Sequence, residues 1–294
     1  MQKSAYALVT LSALLWSGNF VIGRALAGSV DPLALNFWRW TLALLILAPL
    51  FFKRVQICRA ALLAHWQLVL VLGATGIALF HTLVYAAVTY TSAVNTLLLV
   101  SVSPVLIVVF SWVLFKERIT ALRGFGIAVS LSGAIVLISR GDLGAVLRLG
   151  LGWGEVLAFA AVVVWSFYSS LLKRRPAAID PLALLTASVL VGVLGMLPFY
   201  VFGSSAISIT APVISGLAYI IVFASVLGFV FWSRGVAVIG PNRAGVFLHL
   251  MPVFGAAMSV SFLGETIAAY HLLGVALVVA GVFVASLNPT RTFL

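Results

Sequence analysis

Asp31-Pro32-Leu33-Ala34-Leu35 returns as Asp180-Pro181-Leu182-Ala183-Leu184, 149 residues further on. Asp before Pro is a helix start. The carboxylate accepts from free backbone N–H groups of the first turn, and Pro tolerates the first helical position. Each copy opens a long apolar run. Trp16-Ser17 returns as Trp165-Ser166 at the same offset. At an offset of 148, Pro104-Val105, Ser111, Glu117, Gly126 and Gly133 are matched by Pro252-Val253, Ser259, Glu265, Gly274 and Gly281. One such match is noise, but this many in one register mark two copies of one unit, 1–143 and 150–294.

Composition says what the unit is made of. Of the 294 residues 64% are hydrophobic and 8% charged, and the mean hydropathy is +1.25. Soluble domains carry about 25% charged residues, so a soluble enzyme and a disordered chain are excluded. Cys58 is the only cysteine, which excludes an intrachain disulfide and a multi-cysteine metal site. A bilayer core about 30 Å thick takes about 20 apolar residues per helix. Such runs fall near 5–27, 33–52, 66–88, 93–115, 120–139, 152–172, 182–202, 212–233, 243–263 and 269–287. The first ends in Ala25-Leu26-Ala27, like a leader cleavage site, but it exceeds the apolar core of about 7–15 residues in a signal peptide. It also belongs to the repeat, so we read it as a span. The predicted fold is an all-α membrane protein of ten transmembrane helices in two five-helix repeats. An odd number of crossings inverts the second repeat, the plan of many secondary transporters.

The net charge of +11 sits in the short breaks between runs. It reads as a topology signal and not as the basic face of a nucleic-acid-binding domain. On one side lie Lys3, Lys53, Arg54, Arg59, Lys116, Arg118, Arg123, Lys173, Arg174, Arg175, Arg234, Arg243 and Arg291; on the other, only Arg140 and Arg148. Both termini are therefore expected in the cytoplasm, in a multi-pass inner (plasma) membrane protein of bacterial type. The lipid bilayer is the expected partner, with a monomer and no nucleic acid.

Pro104 and Pro252 lie inside runs, where each removes a backbone hydrogen bond and bends the helix. They are read as hinges that free the carbonyls of Val100 and Leu248. Glu117 and Glu265 end runs just before the next helix, where an acid complements the helix dipole. Both are read as structural. So is Arg39, which stands near enough to the outer surface to snorkel; its sharper reading is a carboxylate contact.

In inverted-repeat transporters the site lies near the midplane between repeats. Candidate substrate-binding residues are thus polar or aromatic groups at mid-depth. Trp16 and Asn19 share a face, as do their counterparts Trp165 and Tyr168. His81 and Tyr85 share a face at i, i+4, and their counterparts in the other copy are Phe229 and Ser233. Ser101 and His249 each stand three residues before a repeated proline. Asp31, Glu117, Asp142, Glu155, Asp180 and Glu265 are the only acids, and all fall at or near run ends. Cation-coupled carriers usually hold a carboxylate at the midplane, so a facilitator is expected, or coupling through a histidine. No Gly-x-Ser-x-Gly or His-Glu-x-x-His is present, and neither an enzyme nor a metal or cofactor is expected.

The chain resembles the EamA-type family of the drug/metabolite transporter superfamily over essentially its whole length. The resemblance rests on the two five-run repeats, on Pro104…Phe115-Lys116-Glu117 and Pro252…Phe262-Leu263-Gly264-Glu265, on Gly126…Gly133 and Gly274…Gly281, and on Trp38-Arg39-Trp40. Where Lys116 stands the family usually has a small residue. The resemblance implies an inner-membrane exporter of amino acids or other metabolites. A cavity of Trp, Tyr, Phe, His, Asn and Ser without fixed anions suits a zwitterion, because aromatic faces attract ammonium groups and stack on rings. The expected cargo is therefore an amino acid, aromatic ones included. The alternative is export of neutral or aromatic drugs coupled to protons through histidine.

Overall fold

The computed structural model describes residues 2–26, 30–91, 93–142, 144, 152–203, 210–263 and 268–287. The described residues form helices and no strand. In chain order they are α1 Gln2–Leu26, α2 Pro32–Ala64, α3 Trp66–Tyr90, α4 Ala93–Val100, α5 Ser103–Phe115, α6 Ala121–Ile138, α7 Trp153–Leu171, α8 Pro181–Phe202, α9 Ala211–Ile239, α10 Pro241–Val246, α11 Leu250–Leu263 and α12 Ala269–Ser286. Among the described residues, eight stretches are long and apolar enough to cross a membrane. Their outer faces carry large exposed apolar side chains such as Leu45, Phe52, Phe125, Phe199 and Phe283. On a protein surrounded by water such a surface would aggregate.

The repeated residues do the same work twice. Asp31 accepts from the N–H groups of Leu33 and Ala34, and Asp180 from those of Leu182 and Ala183. Pro49 and Pro198, also 149 apart, lie inside α2 and α8. α3 loosens into a π-helix over Gly73–Leu79, and α9 over Ile220–Leu227. Ser17 Oγ donates to Met251 O at 3.0 Å, and Ser166 Oγ to Ser103 O at 3.2 Å. The packing follows suit: α1 lies on α9 and α11, while α7 lies on α3 and α5; α2 pairs with α8, and α6 with α12.

The α6–α12 pair is held backbone to backbone. A Cβ on Gly126 would stand 2.7 Å from Gly281 O, and one on Gly133 2.7 Å from Gly274 O. Only glycine permits that approach, the small-residue packing that stands in for hydrophobic driving force in lipid.

Three sequence expectations change. The basic stretch after residue 52 is not a loop: α2 runs to Ala64, and Cys58 is buried on it, its Sγ 3.3 Å from the Asp180 N–H. Pro104 does not kink a continuous helix. α4 stops at Val100 and Pro104 sits in the first turn of a new helix, α5. Pro252 stands just inside α11, after a 3-10 turn over Phe247–His249. Glu117, read as structural, stands before α6 without capping it. Thr120 caps α6, and Glu117 instead accepts from Asn242 Nδ2 at 3.0 Å and pairs with Lys173 Nζ at 3.1 Å. Glu265 lies outside the described residues.

Candidate functional site

Where α1, α3, α4, α7, α9 and the 3-10 turn before α11 meet, they enclose a small cavity. Trp16, Asn19, Phe80, His81, Val84, Val100, Trp165, Phe229, Leu248 and Met251 line it. The space open to the centre of a water molecule is about 30 Å³, so a ligand carrying a ring needs the walls to part. Lining residues come from both halves of the chain, Trp16 to Val100 from the first and Trp165 to Met251 from the second.

The walls are mostly aromatic. Trp16 and Trp165, the repeated pair, meet edge to face with centroids 5.2 Å apart. Phe229 stands 5.3 Å from Trp16, Phe80 4.8 Å from Trp165, and Trp232 closes the back at 5.4 Å from Trp16. Edge-to-face and tilted contacts at such separations suit the ring quadrupoles. The carbonyls of the π-helical turns accept from side chains of neighbouring helices. Trp16 Nε1 donates to Ala224 O at 2.9 Å, and Asn36 Nδ2 donates to Ile77 O and Ala78 O in the equivalent turn. A π-helix leaves carbonyls without the usual i−4 partner, which is why such turns mark functional places.

Behind the cavity runs a polar chain. Arg39 Nη1 donates to the Tyr85 hydroxyl at 2.7 Å, and Tyr85 donates to Asn19 Oδ1 at 3.1 Å. Arg39 does not snorkel, as its position in the sequence suggested. It is fully buried, with Nε on Ser225 Oγ and its guanidinium 5.2 Å from the Trp40 ring centroid. The π-turn of α9 supplies Ser225 as its partner.

Of the expected binding residues, Trp16, Asn19, His81 and Trp165 line the cavity together. Tyr85 stands one layer back, on Asn19. Tyr168 packs behind Trp165 at 5.4 Å, its hydroxyl bonded to Ser233. Ser101 and His249 do not face the cavity; they bind each other. Ser101 offers a carbonyl, which only accepts, so His249 Nε2 carries the proton of that 2.9 Å bond; Nδ1 then accepts from the Ser130 hydroxyl at 2.7 Å. The three residues bolt the α4–α5 break to α6 and to the turn before α11. Nor is the Val100 carbonyl free for a ligand, since Ser103 Oγ donates to it at 2.6 Å. Val84, Leu248 and Met251 line the cavity without having been singled out; apolar residues in an apolar run carry no signal. Among the described residues no group of three or more His, Cys, Asp or Glu is placed to hold a metal.

The helices are those of a membrane protein, and the chain belongs to the EamA-like transporter family, which matches residues 3–139 and again 152–287. Similar proteins include the uncharacterized transporter YyaM of Bacillus subtilis (strain 168), 26% identical over 96% of this chain and 93% of its own. A "probable terminal-alkyne amino-acid exporter" of Streptantibioticus cattleyicolor is 28% identical over 96% of this chain and 93% of its own. The fold is shared with a protein solved by crystallography, 22% identical, with a TM-score of 0.75 over 97% of both chains.

Proposed function

We propose that the protein is an exporter of amino acids, aromatic ones included, in a bacterial-type inner membrane, working by alternating access around the aromatic cavity. The observation that carries this reading is the cavity itself. Trp16 and Asn19 from one copy, and Trp165 and Phe229 from the other, surround one enclosed space with His81 at its edge. Rings for stacking, faces for an ammonium group and an amide for a carboxylate are what an amino acid needs.

Ten spans fit the eight apolar stretches together with α1 and the 241–263 run. The two family matches and the exchanged packing partners support two five-helix repeats of opposite orientation, 1–143 and 150–294. The lysine and arginine bias favours cytoplasmic termini. In this mechanism the repeats rock about the cavity, the breaks before Pro104 and Pro252 absorb the bend, and the contracted cavity is the closed stage. With no described acid at the cavity, flux runs down the amino-acid gradient. The protein acts as a monomer.

The test is uptake of labelled Phe, Trp, Thr, Met and Lys, each in proteoliposomes with and without a pH gradient and a membrane potential. Amino-acid flux indifferent to pH supports the reading. Flux that demands a proton gradient moves coupling to His81. No flux of any amino acid overturns the substrate class and brings neutral aromatic drugs forward.

A further inference from the structure

The cavity is surrounded by an excess of donors and of positive charge. Arg39 is fully buried, and its Nη2 has no partner. Its other bonds end on two neutral hydroxyls, those of Ser225 and Tyr85. The described acids make their contacts elsewhere. Asp31 and Asp180 cap helices, Glu117 holds Asn242 and Lys173, Glu155 holds Thr91 and Asn95, and Asp142 accepts from the Gly144 N–H. An ion in a protein interior is held at a cost of several kcal/mol unless an opposite charge joins it. Three more nitrogens beside the cavity are buried without a partner: Trp40 Nε1, Trp232 Nε1 and His81 Nδ1. Trp40 and Trp232 are within ring contact of its walls, Trp40 at 4.8 Å from Phe229 and Trp232 at 5.6 Å from Trp165.

The polar chain points this surplus inward. Arg39 polarises the Tyr85 hydroxyl, which occupies the Asn19 carbonyl. The Asn19 amide also carries two N–H donors, strengthened by the cation two bonds behind them.

We propose that the cavity recognises its cargo by a carboxylate, taken at the Asn19–His81 end with Arg39 as its counter-charge, while the apolar part lies on Trp16, Trp165 and Phe229. This rests on the reading of the cavity as the transport site and adds charge selection to it. Acids and zwitterions bind, whereas the matching amines and amides do not. Arg39 acts through Tyr85 and Asn19 and is a positioning residue.

Binding can be read without transport, by tryptophan fluorescence of the purified protein titrated with phenylalanine, phenylalaninamide, 3-phenylpropanoate and phenethylamine. The two carboxylates are expected to bind at least about tenfold more tightly than the amide and the amine, the scale of a charge-assisted hydrogen bond. Arg39→Gln is expected to erase that ratio, and Tyr85→Phe to reduce it. Equal binding of amide and acid overturns the inference while leaving an amino-acid flux intact. Carboxylate-selective binding with no amino-acid flux upholds it and overturns the substrate reading. If Arg39→Gln does not fold, the wild-type ratio alone decides. A full ratio in a folded Arg39→Gln protein overturns the role of the arginine.

Discussion

His249 and Lys116 show how single side chains are constrained in this chain. His249 spends both ring nitrogens on the Ser101 carbonyl and the Ser130 hydroxyl. Removing the ring leaves a buried carbonyl unpaired, a loss of about 1–3 kcal/mol. His249→Ala is therefore expected to lower the thermal midpoint in detergent while leaving the cavity walls intact; an unchanged midpoint contradicts the bolt. Lys116 ends α5 in the left-handed region, at φ 56°. A side chain there costs about 1–2 kcal/mol, which explains the small residue expected at this place, and the second copy has Gly264. Lys116→Gly is predicted to raise the thermal midpoint, and a fall would contradict the strain. Trp16, Asn19, His81 and Trp165 were legible because polar and aromatic groups deep in apolar runs need a reason. Ser101, Tyr168 and His249 show the limit. Depth says how far into the membrane a residue lies, but a break or a π-turn rotates the face on which it points.

At the scale of helices, the glycines of α6 and α12 are the most exacting feature. A Cβ at Gly133 would stand 2.6 Å from the Val278 nitrogen, and backbone does not yield as a side-chain tip does. Gly133→Leu is predicted to abolish folded protein, seen as loss of the monodisperse peak on size exclusion. Gly195→Leu serves as a control and is predicted to be tolerated, because nothing lies within 4 Å of its Cβ position. Asp31-Pro32 and Asp180-Pro181 announced the starts of α2 and α8, since capping is local chemistry. The π-turns were not legible. A π-turn is stabilised by distant partners, such as Trp16 on Ala224 O, which no local window contains. The overrun of α2 to Ala64 has the same origin, because the Arg54–Asp180 pair and the Cys58–Asp180 contact bind it to the start of α8.

In the molecule as a whole, chemistry is concentrated where the two halves face each other. Two polar ties join the halves: Lys173 and Asn242 on Glu117, and Thr91 and Asn95 on Glu155. Both must loosen in turn if access alternates. The exposed Lys173–Glu117 pair contributes little stability, about 0–1 kcal/mol. Glu117→Gln is accordingly predicted to alter flux more than the thermal midpoint, and the reverse would make the tie purely structural. The helical class and the membrane character were legible in the sequence, because each is written in residues spaced over the whole chain.

The account stands on the cavity as the place where cargo is held. The most direct test is labelled phenylalanine flux through Trp16→Ala, Trp165→Ala and His81→Ala beside the wild type, in proteoliposomes of matched protein content and with no ion gradient. The account predicts wild-type flux and a large loss in all three variants. Wild-type rates in all three would contradict it.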